Sequence, residues 1–172
     1  GRMKARRLDD GELCVLLDER EWRIFSALLA QYASGLDRPS PPSHSSKDPV
    51  IEESKTWLRE MQAAHRQSLV KRAATWLEAG STSSPEDTSQ KMLRLSGHDV
   101  EWMLQLFNDL RISHWMLLGC PNEADLKGEK WTEAQLPSVW SMGLCGMFQS
   151  ALLQALNGSD KPGDPSADEI TL

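Results

Sequence analysis

Between Asp48 and Gly80 the chain contains no glycine and a single proline, Pro49, at the very start of the run. Strands seldom exceed ten residues, so an uninterrupted stretch of this length predicts an α-helix from Pro49 to about Ala79. Asp48 would be its N-cap and Pro49 would fill the first helical position, where a missing N–H costs nothing. Along it, Ile51, Leu58, Met61, Leu69 and Trp76 form one apolar stripe, with His65 on the same line. Arg59, Arg66, Lys71, Glu52, Glu53 and Glu60 fall on the other sides, as on a solvated helix face. A stripe this long calls for other helices to cover it, so the helix commits the chain to a mainly α fold.

The flanking segments supply partners. Glu12 to Leu17 is short, apolar and β-compatible and follows the turn signal Asp9-Asp10-Gly11, which predicts a strand. From Asp18 the period becomes helical, with Trp22, Phe25, Leu29, Tyr32 and Leu36 at three- and four-residue spacing, giving a helix to about Gly35. Met92 to Leu95 alternates, and its expected partner is the strand at Leu13 to Leu17. A further helix opens at Ser96, with Asp99 completing a capping box, and closes near Leu118 before Gly119 and Pro121. The last helix starts near Gln135, with Pro137 in its first turn, and runs to Leu156. The expected architecture is a mainly α, four-helix bundle-like domain over residues 1–157 with a small two-stranded antiparallel β ribbon. A Pro/Ser-rich loop interrupts it at 37–48, and an acidic tail follows at 158–172.

Charge and cysteine content narrow the function classes. A net charge of -6 gives the wrong field for phosphate backbones, so no nucleic acid is expected as a partner. Cys14, Cys120 and Cys145 never fall in C-x-x-C spacing and cannot all pair, so a cytoplasmic location is expected. No apolar run stands out as membrane-spanning and the start leads into no signal region, so no membrane is expected either. All three cysteines read as small buried hydrophobes. No G-x-S-x-G elbow, P-loop or Glu-x-x-His pair occurs, so no catalytic residue, metal ligand or cofactor is assigned.

Two polar residues interrupt the apolar face of the helix from Ser96. Val100, Met103, Leu104, Phe107, Leu110, Leu117 and Leu118 surround Arg111 and His114. A buried guanidinium needs a carboxylate, and Glu21 and Glu60 are the expected partners of Arg111. One reading is a polar tie that fixes helix register; the other is a ligand site, with Arg111 gripping an anion beside His114 and His65. Close approach of another helix would explain the small-residue run Gly143-Leu144-Cys145-Gly146. Trp22, Trp76, Trp115 and Trp140 fit apolar stripes and are expected in the core, whereas Trp102 and Trp131 are expected outside. With Ile112 and Met116, Trp102 would form a binding patch interrupted by Asp109.

Asn108-Asp109-Leu110-Arg111 followed by Leu117-Leu118-Gly119, and a last helix carrying Trp140, Leu144, Gln149, Leu152, Ala155 and Leu156, resemble the bacterial domain-of-unknown-function family two thousand and seventeen. The resemblance implies a mainly helical protein with no assigned reaction. Genes of that family often lie beside the adaptor of the Clp protease, which implies a role near regulated proteolysis. It also singles out Asn108, Asp109 and Arg111, with Asp109 pairing with a neighbouring loop or a second copy. The leading expectation is a non-enzymatic module that binds a protein partner or itself. The alternative is a small-molecule or anion binding protein, and an enzyme remains open.

Overall fold

The computed structural model describes residues 3–35, 49–79, 90–128 and 131–157. The Pro/Ser-rich loop, the loop before the second predicted strand and the acidic tail lie outside the described residues. In chain order the elements are β1 (Lys4–Arg7), β2 (Leu13–Asp18), α1 (Glu19–Ala33), α2 (Pro49–Ala79), β3 (Gln90–Leu95), α3 (Gly97–Leu117), α4 (Glu123–Gly128) and α5 (Leu136–Asn157). The fold is mainly helical with a small antiparallel sheet, as the sequence implies, and β1 makes that sheet three-stranded in the order β1-β2-β3.

Local chemistry sets the boundaries. Gly11, at a φ of 86°, takes the left-handed conformation that lets the chain turn from β1 to β2. Asp18 caps α1 by accepting from the Glu21 N–H, while Glu21 accepts from the Asp18 N–H, each at 2.8 Å. Ser96 and Asp99 form the same reciprocal box at the start of α3. That helix ends in a Schellman motif: the Gly119 N–H donates to Met116 O and the Cys120 N–H to Trp115 O. Gly119 takes a φ of 83° there.

The sheet turns one face inward. Val15 stands between Ala5 and Leu93 in the register, and all three are buried, as are Leu13, Leu17 and Leu95. Against this face and one another pack α1, α3 and α5, and the chain's three phenylalanines meet at the centre. The Phe25 ring lies edge-on to Phe107 at 5.7 Å and to Phe148 at 5.2 Å, and Phe107 stacks on Phe148 at 5.6 Å. α5 packs chiefly on α3. By length and composition it is the one helix among the described residues apolar enough to cross a membrane, which corrects the expectation that no such run exists. Scattered Ser, Gln and Asn residues disguise the run.

α2 departs most from expectation. Only its second half is covered: Leu69, Ala73 and Trp76 are buried, whereas Ile51, Leu58 and Met61 of the same predicted stripe are exposed. Arg72 ties this covered half to α3 through a 2.8 Å ion pair with Asp99.

Candidate functional site

Three groups of side chains hold the sequence-nominated residues. The first is a polar seam between α1 and α3. Tyr32 is fully buried and its hydroxyl donates to Asp109 Oδ2 at 2.7 Å, while the Arg66 guanidinium of α2 lies 5.6 Å from the Tyr32 ring centroid. One residue back on α1, Gln31 Oε1 lies 3.2 Å from His114 Nε2. His114 is 2% exposed, and burial holds its pKa below the usual histidine range. Its Nδ1 is buried without a hydrogen-bond partner. His114 is therefore a neutral core histidine that no solute reaches without local opening. Asp109 thus meets α1 of its own chain here.

The second group ties α3 to α5. Arg111 is exposed, not buried, and it donates to Gln149 Oε1 at 2.9 Å. The Gln149 amide in turn donates to the Leu104 carbonyl at 3.0 Å. Neither expected acid serves Arg111, since Glu21 is committed to the α1 cap and Glu60 is exposed. The Arg111 guanidinium lies beside Gly146 of α5, where a Cβ would be in ordinary van der Waals contact at 3.7 Å from Arg111 Nε. Next to it, burial pushes the Cys145 thiol up to about 12 against the pull of Arg111, which makes it inert at neutral pH. Cys14 is also buried, but Cys120 is exposed, contrary to the reading of all three as core residues.

The third group surrounds Trp102. His65 stacks on its ring at 5.0 Å, His98 meets it edge-on at 5.8 Å, and the Arg72 guanidinium lies 4.8 Å from the ring. The indole N–H donates to His98 Nε2 at 2.8 Å. Trp102 is thus half-buried and clamped between α2 and α3, so it is not the open anchor expected from its wheel position. His65 belongs to this clamp and does not converge with His114. Trp115 and Trp140, expected in the core, are exposed. Asn108 is exposed on α3.

Arg111 and His114 are neighbours on one helix, yet Arg111 bonds to α5 and His114 to α1. The two side chains are thus engaged with different helices. The surface is more informative. On the first half of α2, Val50 (69% exposed), Ile51, Trp57 (58% exposed), Leu58 and Met61 form a stripe that nothing covers among the described residues. Sequence reasoning noted part of this stripe but assigned it to the core and left Trp57 out. In comparisons with known proteins, no family model, no curated protein and no solved structure matches the chain.

Proposed function

We propose that the protein is a non-enzymatic interaction module, acting in a bacterial cytoplasm, whose first half of α2 receives a protein partner. The exposed stripe of Val50, Ile51, Trp57, Leu58 and Met61 carries this reading. It recurs at positions i, i+1, i+7, i+8 and i+11, the pattern of a helix made to lie on another surface. The second half of the same helix is anchored by Leu69, Ala73 and Trp76 and by the Arg72–Asp99 ion pair, so the stripe is presented on a fixed support. Three unpaired cysteines fit a reducing compartment. The link to regulated proteolysis rests on the resemblance alone, and it makes the Clp adaptor the first partner to try.

The test compares the wild type with a Trp57→Glu/Leu58→Glu variant in affinity capture from native cells. Both side chains are exposed, so the variant should melt within about 1–2 °C of the wild type while losing its partner. Capture of the same partner by both proteins would refute the assignment to α2.

A further inference from the structure

The Trp102 clamp sits where the cover of α2 begins. At residues 56–65 every side chain of that helix is exposed, and the first buried one is Leu69. The stack of His65 on the Trp102 ring, at 5.0 Å with 22° between the planes, therefore ties the exposed stretch to α3. Further along the same helix, the Arg72 guanidinium lies 4.8 Å from that ring and donates to Asp99 Oδ1 at 2.8 Å. What α2 grips is thus one indole ring, and the orientation of that ring depends on a third group. Its N–H donates to His98 Nε2 at 2.8 Å, with the imidazole standing edge-on at 89°.

That hydrogen bond dictates which form of His98 fits. Nε2 accepts only when it carries no proton, so the single ring proton sits on Nδ1, 3.8 Å from Glu101 Oε2. A second proton would go to Nε2 and set two donors facing each other, and an indole N–H has no acceptor to offer in exchange. The charged and titratable groups placed around the pair are Asp99 and Glu101 on α3 and His65 and Arg72 on α2. Glu101 draws an imidazolium toward the carboxylate, and the Arg72 cation already beside the ring repels it from the indole. A charged His65 would meet the same Arg72 cation and act in the same direction. Histidine takes up its second ring proton between about pH 8 and 5. We propose that His98 is a proton-operated latch on α2. Unprotonated, it fixes Trp102 for His65 and Arg72 to grip; protonated, it frees the ring and loosens the stretch that carries Trp57, Leu58 and Met61. Leu69, Ala73 and Trp76 stay buried in the core, so acid loosens the exposed half without detaching the helix. The consequence for partner capture rests on the reading of α2 as the docking element, whose stripe is then held firmly at neutral pH and loosely in acid.

NMR of the full chain from about pH 8 to 5.5 tests it, in the wild type and in a His65→Phe background that keeps an aromatic stack but leaves His98 the one titrating ring at Trp102. In both, the Trp102 indole N–H signal should move in step with the His98 ring protons. Amide protection at residues 62–66, taken relative to α5, should fall about two- to tenfold over the same range, the worth of one partly exposed hydrogen bond. In the His65→Phe background, His98→Gln should hold both signals steady, because its carbonyl accepts from the indole at every pH. His98→Ala should show the reduced protection already at about pH 8, where histidine is neutral. An indole signal indifferent to the titration of His98, a His98→Gln protein that loses protection as its parent does, or a His98→Ala protein as protected as the wild type would each overturn the proposal. These signals are read without a partner. A latch that fails leaves the α2 docking reading standing, whereas capture unaffected by Trp57→Glu/Leu58→Glu removes that reading and leaves the latch.

Discussion

Acidification should destabilise this protein through His114 before its carboxylates titrate. The side chain is 2% exposed, its Nε2 is engaged with Gln31, and its Nδ1 has no partner able to stabilise a second proton. Burial therefore lowers its pKa in the folded chain from 6.5. In the unfolded chain it titrates near 6.5. Between the folded and unfolded values the unfolded state holds more protons, so acid drives unfolding. The His114 contribution is fully present above about pH 6.5 and is lost as the pH falls toward the folded value. The loss has a limiting slope of about 1.4 kcal/mol per pH unit for one group. For a domain of this size that equals about 3–6 °C in melting temperature per unit. Urea unfolding at a series of pH values from about 8 to 5 measures it, with His114→Gln as the non-titrating reference. His65 and His98 are exposed, and carboxylates affect both proteins alike, so the difference between the curves isolates His114. Wild type and variant curves that stay parallel across pH 6.5 would show that His114 accepts its proton in the folded chain and would refute the reasoning.

The polar ties and thiols give further expectations. Arg111→Met should cost about 1 kcal/mol or less, because an exposed guanidinium on a neutral amide leaves no buried charge behind; a loss of about 3–5 kcal/mol would mean a buried ion pair instead. Tyr32→Phe should cost about 1.5–3 kcal/mol, the range for a hydrogen bond to a charged group. An unchanged urea midpoint would show that the Tyr32–Asp109 bond contributes nothing. In thiol labelling of the native protein at about pH 8, Cys120 should react rapidly while Cys14 and Cys145 wait for unfolding. Equal rates for all three would contradict the burial of the two.

Features decided within a few residues were legible in the sequence. Asp18 and Ser96 start helices because a side-chain oxygen reaches an N–H three residues on, and Gly119 ends one because a left-handed residue closes the last turn. The pairing of β2 with β3 followed from two short apolar runs, but β1 escaped notice because Ala5 alone among its four residues points inward. α4 was missed for a related reason: six residues leave no room for an amphipathic period to show. Tertiary matters were not legible. Ile51, Leu58 and Met61 share a wheel sector with Leu69 and Trp76, and periodicity records the sector without recording how far along the helix its cover extends. Tyr32, Gln31 and Gln149, which hold Asp109, His114 and Arg111, lie far off in sequence, and a single chain offers no signal that pairs them.

A helical wheel places a Cα–Cβ bond, and for a long cation that does not place the charge. The exposed Arg111 guanidinium passes beside Gly146 of α5 and donates to Gln149. A charged residue on an apolar face can thus resolve the conflict with its own flexibility, and no ligand or counter-ion need be inferred. An exposed tryptophan has no such escape, since every rotamer keeps much of its ring in water at roughly 25 cal/mol per Å² of apolar surface. Trp57 and Trp140 stay uncovered on helices whose other faces are anchored, so their exposure is relieved only by a surface from outside the described chain. For this protein the apolar groups left outside say more about function than the polar groups that the sequence placed inside.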